Sequence, residues 1–145
     1  MINVRNAAYD DAARLAELCA ENIPQPWSES SFAAEFDKGS VMLCACEDNR
    51  IIGFAAAAVS FDDGYLELIA VDRAYRRGGY GTFLLRETEA ALADRGVSRV
   101  VLDVRCSNTA AIELYKKCGY GIVCTRRDFY GQPREDAYTM TKDLK

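Results

Sequence analysis

One stretch constrains the fold of this chain more than any other: an apolar run, a glycine-rich turn and an amphipathic pattern follow one another without a break. The apolar run, residues 66–71, has the length of a buried strand. Three glycines fall within positions 78–81, and a helical pattern with Leu84, Leu85 and Leu92 on one face begins there. A helix N-terminus that follows such a turn presents free backbone N–H groups and the positive end of its dipole. The stretch therefore predicts a phosphate-binding turn.

The spacing of these glycines does not fit two common phosphate motifs. The dinucleotide pattern G-x-G-x-x-G fails at Leu84, and the P-loop pattern lacks its lysine. What is present is Arg76-x-x-Gly79-x-Gly81. This arrangement resembles the pyrophosphate loop of the GNAT superfamily of N-acetyltransferases, [QR]-x-x-G-x-[GA], and the resemblance implies acetyl-CoA as the cofactor. The alternative is a glycine-rich turn before an ordinary helix.

Composition limits the class of protein. With 145 residues, 50% of them hydrophobic and 28% charged, the chain predicts one globular domain over positions 1–145. Because no apolar run has membrane-spanning length and the first residues lack the apolar core of a signal peptide, we expect a cytoplasmic protein without a membrane partner. The net charge of −4 argues against nucleic-acid binding and suits a basic peptide or amine substrate.

The chain has no histidine and six cysteines. Without histidine, a Ser-His or Cys-His nucleophile is excluded, so any acyl transfer must proceed without a histidine-based triad. The cysteines form no C-x-x-C pair, and their spacing does not suggest a metal site. We interpret them as small core residues in a reducing compartment.

The pattern along the chain predicts the order β-α-α-β-β-β-α-β-α-β-β, with a first strand at 2–5 and a turn-rich segment at 128–136 between the last two strands. The strands at 65–71 and 100–104 are joined by a long helix, so they should be parallel with a right-handed crossover. We predict an α/β (α+β) fold whose mixed, mostly antiparallel sheet has about seven strands and about four flanking helices. In the GNAT fold these two parallel strands splay apart.

Three further segments narrow the resemblance. The strings LDVRCSN at 102–108, AIELY at 111–115 and GY at 119–120 resemble LEVR-x-SN-x-x-AI-x-LY-x-x-x-GF of the family. RRDFY at 126–130 with REDA at 134–137 resembles RR-x-YY…REDA, and PWS at 26–28 with Phe32 resembles PWS-x-x-x-F. Together they are similar to the RimI-type branch, the ribosomal-protein-alanine N-acetyltransferases. The resemblance implies direct acetyl transfer to the N-terminal amine of a small-subunit ribosomal protein.

The same resemblance implies the catalytic residues. Asp103 stands where the family has its glutamate base, and Tyr115 matches the general acid. Glu67, inside the other central strand, is the rival base because many GNAT proteins place a carboxylate there. Asp103 has a structural alternative: two residues away on one strand, Arg105 lies on the same face and could pair with it.

Cofactor and substrate contacts follow from the motif positions. The strand backbone at Ile69, Ala70 and Val71 is expected to meet pantetheine. The pyrophosphate residues are expected to be Arg76, Arg77, Gly78, Gly79, Tyr80, Gly81 and Thr82, although both arginines could instead be solvated charges. Asn108 is expected to cap a helix and to contact the cofactor. Candidates for the peptide side are Trp27, Glu29 and Tyr130, for which packing or solvation is the alternative.

Two other functions stay open at this point. One is a GNAT enzyme that acetylates a lysine or a small amine; the segment at 126–137 favours a peptide instead. The other is a non-catalytic acetyl-CoA-binding module, for which the aspartate at position 103 is the main argument. The oligomeric state, monomer or homodimer, is not specified by the sequence.

Overall fold

A seven-stranded mixed sheet forms the centre of the structure, a computed structural model that describes residues 2–76, 78–131 and 133–144. Its strands are β1 (Ile2–Asn6), β2 (Val41–Glu47), β3 (Arg50–Ser60), β4 (Asp63–Val71), β5 (Arg99–Arg105), β6 (Gly121–Gly131) and β7 (Arg134–Asp143). Their order across the sheet is β1-β2-β3-β4-β5-β7-β6, and β4–β5 is the parallel pair among antiparallel neighbours. The predicted fold class is confirmed.

Four α-helices cover the two faces of the sheet. They are α1 (Ala12–Asn22), α2 (Glu29–Asp37), α3 (Tyr80–Asp94) and α4 (Thr109–Lys117). Strand β2 shows why two layers form, because its apolar side chains alternate: Val41 and Leu43 pack with α3 and α4, whereas Met42 and Cys44 pack with α1 and α2. No helix in the described ranges is long and apolar enough to cross a membrane.

Side-chain caps and glycines mark several helix ends. Ser28 precedes α2 and accepts a hydrogen bond from the Ser31 N–H at 3.2 Å. Gly39, Gly96 and Gly119 follow three of the helices with positive φ. Asp11 does not cap α1 through its side chain; it accepts instead from the Ala8 N–H at 2.7 Å and pairs with Arg5.

The segment predicted to be turn-rich, 128–136, is mostly strand. Strand β6 continues to Gly131 and β7 begins at Arg134, so the turn itself is short. The polar residues that suggested a loop are accommodated by an irregular register between Arg126 and Tyr130 and by the positive φ of Asp128. The Asp128 N–H donates to Asp136 Oδ1 at 2.8 Å across the hairpin.

The parallel strands β4 and β5 are paired only over their first few residues. Its ladder runs only from Asp63 opposite Arg99 to Tyr65 opposite Val101. Beyond Tyr65, strand β4 remains paired with β3 on one side but has no partner on the side of β5. The predicted splay is therefore present, and it leaves a free strand edge that runs along a gap in the sheet.

Candidate active site

A cavity of about 480 Å³ occupies the gap between β4 and β5. Its lining comes from both splayed strands, the segment after α1, the glycine-rich loop, α4 and β6. The lining residues are Asn22, Ile23, Pro24, Gln25, Glu67, Leu68, Ile69, Ala70, Val71, Arg76, Gly81, Asp103, Val104, Arg105, Asn108, Ala111, Leu114, Tyr115 and Tyr130. The structure thus brings together residues that are far apart in the sequence.

A β-bulge places Glu67 on the wall of this cavity. Ala57 of β3 pairs with Leu66 and Ala56 pairs with Leu68, so Glu67 is the extra residue of β4. Bulges reorient the side chains beside them and are frequent next to active sites. As a result, Leu66 packs into the core under α3 and α4 while Leu68 packs with the core under α1 and α2.

The carboxyl group of Glu67 lies against that of Glu35 from α2. Glu67 Oε1 is buried and has no hydrogen-bond donor among the described residues. Burial, together with the neighbouring Glu35 charge, raises the pKa of Glu67 from 4.5 to about 7. Burial also opposes ionisation of Glu35, but its hydrogen bonds from Ser40 and Lys38 outweigh that effect and lower the pKa of Glu35.

Asp103 lines the same cavity, and both of its oxygens already have partners. Oδ1 accepts from Thr139 Oγ1 at 2.6 Å and lies 3.4 Å from Arg126 Nε, while Oδ2 accepts from the Tyr65 hydroxyl. The ion pairs found for these two residues differ from the expected alternative, a pair of Asp103 with Arg105. Arg105 instead pairs with Glu135 at 3.3 Å and lies over the Tyr130 ring at 4.2 Å.

Tyr115 reaches the cavity from α4, as predicted for a proton donor. Its ring packs against Tyr120 with 5.7 Å between centroids, and the residue is only 8% exposed. Burial and the nearby Tyr130 raise the pKa of Tyr115 to about 12, so its hydroxyl keeps its proton at any physiological pH. Tyr130, a predicted substrate residue, lies on the cavity wall as well.

The glycine-rich turn has the geometry of an anion site. Gly79 precedes α3 with φ of +78°, and a Cβ at Gly78 would lie 2.5 Å from the Tyr80 ring. Gly79 offers no side chain to cap α3, so the first N–H groups of the helix have no side-chain acceptor there. Arg76 is held beside the turn, because its guanidinium donates to Asn22 Oδ1 and, at 3.4 Å, to the Val71 carbonyl.

These features fit the cofactor that the sequence implies. The free edge of β4 at Ile69, Ala70 and Val71 offers backbone groups to pantetheine, and the start of α3 with Arg76 and Gly81 offers donors to pyrophosphate. Asn108 caps α4 through Oδ1, which accepts from the Ala111 N–H at 3.2 Å, and it also lines the cavity. Its predicted cap is confirmed, and its cofactor contact stays a prediction.

Several predicted residues lie away from the cavity wall. Gly78, Gly79, Tyr80 and Thr82 shape the turn and the first turn of α3 but do not line the cavity. Trp27 is partly buried, its ring packing on Phe32 with 5.3 Å between centroids, and Glu29 is exposed at the start of α2. Arg77 lies outside the described residues.

The residues that surround the two carboxylates are not among those that the sequence predicts. Glu35 is buried on α2, although acidic residues on a helix are usually solvated. Tyr65, Thr139 and Arg126 come from three different strands to reach Asp103. Only the register of those strands brings these partners together, so no local pattern could have indicated them.

Comparison with known proteins agrees with this geometry. The family model described as acetyltransferase (GNAT) family matches residues 9–120. The [ribosomal protein bS18]-alanine N-acetyltransferase of Escherichia coli (strain K12) is 38% identical over 117 residues, 79% of each chain. The crystal structure of the ribosomal-protein-S18-alanine N-acetyltransferase from Escherichia coli has a TM-score of 0.92 at 32% identity, covering 99% of this chain and 94% of that one.

A more distant structure shares the fold and contains the cofactor. It is a GNAT family acetyltransferase from Elizabethkingia anophelis with acetyl-CoA bound, with a TM-score of 0.81 at 20% identity over 99% of this chain and 98% of that one. The family match spans residues 9–120, and the cavity lining includes Arg76, Gly81 and Asn108, to which the sequence assigns cofactor contacts. The chain belongs to the GNAT family of acetyltransferases and is an N-acetyltransferase that uses acetyl-CoA as its acetyl donor.

Proposed function

We propose that the enzyme acetylates the N-terminal α-amine of a ribosomal protein, with the alanine end of bS18 as the first candidate substrate. The observation that supports this most directly is the 38% identity, over 79% of each chain, to an enzyme named for that reaction. Tyr130 and the segment after α1 line the cavity, where they are available to an extended peptide.

An α-amine suits this cavity better than a lysine. With a pKa of about 8, roughly a tenth of an α-amine is neutral at pH 7, whereas a lysine amine with a pKa near 10.4 is almost fully protonated. The difference corresponds to about 3.5 kcal/mol at about 1.4 kcal/mol per pKa unit. An N-terminal substrate therefore demands much less from the base.

We assign the base to Glu67, with Asp103 as the alternative. Proton transfer from an α-ammonium to a carboxylate of pKa about 7 is uphill by only about 1.4 kcal/mol, whereas an ordinary glutamate at 4.5 makes it uphill by roughly 5 kcal/mol. Glu67 also has a buried oxygen that no described residue donates to. Asp103 accepts from Tyr65 and Thr139 and pairs with Arg126, so both of its oxygens already have partners.

We assign Tyr115 the role of a hydroxyl group that stays protonated during the reaction. Acetyl-CoA, when bound, supplies the thioester whose acetyl group is transferred. With a pKa of about 12, Tyr115 would have to give its proton to a thiolate of ordinary pKa about 8.5, which is uphill by roughly 5 kcal/mol. The phenol therefore serves first as a hydrogen-bond donor to the leaving sulfur.

Thiol release from acetyl-CoA with three peptides tests this proposal. The first peptide carries the start of bS18 with a free N-terminal alanine, the second has the same sequence with a blocked α-amine and an internal lysine, and the third has a scrambled start. We expect turnover with the first peptide to exceed that with the second by at least tenfold, because of the difference in amine pKa.

The other outcomes separate the remaining functions. Faster turnover with the second peptide would favour a lysine acetyltransferase, and equal turnover with the scrambled peptide would remove sequence selection at the N-terminus. No turnover with any peptide, despite measurable acetyl-CoA binding, would contradict the proposal and favour a small-amine substrate or a non-catalytic module.

A further inference from the structure

We propose that Glu35 of α2 is a positioning residue for acetyl transfer. Glu35 and Glu67 share one proton, and Glu35 keeps that proton on Glu67. When the pair has lost this proton, Glu67 is the carboxylate that takes a proton from the substrate amine. The proposal rests on the proposed function in one respect, the assignment of Glu67 as the base. The shared proton itself is a property of the free protein.

The surroundings of Glu35 stabilise its negative charge. The residue is 5% exposed, so water contributes little to its solvation. Two donors replace water: Ser40 Oγ donates to Oε2 at 2.7 Å, and Lys38 Nζ donates to Oε1 at 3.1 Å. Both hydrogen bonds favour the ionised form, so a proton placed on Glu35 would weaken them.

The surroundings of Glu67 are the opposite. Glu67 Oε1 is buried without a donor from the described residues, which is costly for an ionised carboxylate. Two carboxyl groups in contact can form a hydrogen bond only if one of them is protonated. With Glu35 held ionised, the protonated partner is Glu67, and its O–H donates to Glu35. The pKa of Glu67, raised to about 7, and the lowered pKa of Glu35 agree with this division.

The pair gives the base a defined proton balance. An N–H bond of the substrate ammonium breaks, an O–H bond forms on Glu67, and Glu35 accepts the hydrogen bond from that O–H. The neutral amine keeps its lone pair for attack, and the proton later leaves Glu67 for solvent. The pair acts as a base only when it starts the cycle without the shared proton, so activity rises with pH as Glu67 ionises.

Lys38, the residue that follows α2, lies beside Glu35 and partly offsets the effect of Glu35 on Glu67. The other titratable or charged groups that line the cavity are Arg76, Asp103, Arg105, Tyr115 and Tyr130. The Lys38 side chain is 68% exposed and is not part of the cavity lining, so it allows a test that leaves the cavity wall intact.

The test is a titration of the free protein with carbon-13 in the glutamate side-chain carboxyl groups, followed by NMR. We expect one glutamate resonance with a midpoint near pH 7, absent from Glu67→Gln. In Glu35→Gln, which keeps the size of the side chain, the midpoint should fall by about one pH unit or more because the neighbouring charge is gone. In Lys38→Met it should rise by a few tenths of a unit, because a screened positive charge is lost.

Opposite shifts in the two variants distinguish a shared proton from a packing defect. No midpoint near pH 7, an unchanged midpoint in Glu35→Gln, or shifts in the same direction would overturn the proposal. The acidic limb of kcat/KM against pH, measured by thiol release, should move with the NMR midpoints. If no peptide is acetylated, the proposed function fails, while the titration still decides whether the pair exists. If the acidic limb of kcat/KM does not move with the NMR midpoints, Glu35 has no role in the reaction.

Discussion

Two glutamates in this molecule, Glu89 and Glu67, have buried carboxylate oxygens in opposite surroundings. Glu89 of α3 accepts from the Tyr120 hydroxyl at 2.8 Å and from Lys142 Nζ at 2.9 Å, so each of its oxygens has a donor. Glu67 of β4 has a buried oxygen without a donor in the described part of the chain, and a second carboxyl group is its neighbour. One site lies in the packed core below α3, and the other lies on a cavity wall.

The difference teaches what burial does to a carboxyl group. With a cation and a phenol as partners, burial yields a fixed ion pair that joins α3 to β7 and to the residue before β6. With a like charge as partner, burial leaves a group that exchanges a proton near neutral pH. The partners therefore decide whether a buried glutamate stabilises the fold or serves the reaction, and substitutions at the two sites should separate these effects.

The largest expected effect is the loss of turnover in Glu67→Gln. An amide cannot accept the ammonium proton, so kcat should fall by about 10²- to 10⁴-fold, the usual contribution of a positioned base. Thiol-release assays at saturating acetyl-CoA measure kcat, and Asp103→Asn is assayed in parallel. A greater loss in Asp103→Asn than in Glu67→Gln would assign the base to Asp103.

The matching change at the other site is Glu89→Ala, which should affect stability. Removal of one partner from a buried pair costs about 3 to 5 kcal/mol, and we expect about 3 kcal/mol because the Lys142 side chain is 21% exposed and can reach water. Urea unfolding measures it, and Glu87→Ala, exposed on the same helix, is the control. Turnover per folded molecule should remain close to that of the unchanged enzyme; a large loss of kcat would break the comparison.

Two tyrosines extend the comparison to phenols. Tyr115→Phe keeps the ring that packs on Tyr120 but removes the cavity hydroxyl, so kcat should fall by about 10²-fold with little change in stability. Tyr120→Phe removes the donor to Glu89 and should lower the free energy of unfolding by about 1 to 3 kcal/mol. Thiol release and urea unfolding of both variants check this. Equal losses of activity in the two would mean that Tyr115 acts through packing alone.

The smallest expected effect is the pH dependence of stability at Glu67. Its pKa is raised from 4.5 in the unfolded chain to about 7 in the fold, so the folded state binds the proton more tightly. This contribution is fully present below about pH 4.5 and is lost as pH rises through about 7. The unfolding free energy of the unchanged protein minus that of Glu67→Gln should fall by about 2 kcal/mol over this range. If the unfolding free energies of the two proteins changed in parallel with pH, the raised pKa of Glu67 would be contradicted.

Much of the fold follows from local patterns in the sequence. The predicted order of strands and helices holds in the structure, and so does the long helix between β4 and β5. The same is true of the Gly79 turn, because a positive φ before a helix restricts the residue type at that position. Asn108 and Tyr115 were identified through motifs and lie on the cavity wall.

Only the tertiary structure decided which groups surround Asp103 and Glu67. Asp103 meets Arg126 and not Arg105 because β7 lies between β5 and β6, and the register of those strands sets which side chains approach. Glu67 faces Glu35 because one bulge residue shifts the alternation of β4, and α2 then covers it with a glutamate that the helical pattern assigns to solvent. Periodicity gives the face of a residue, but proton affinity depends on the charges and donors within a few ångströms, which come from distant parts of the chain.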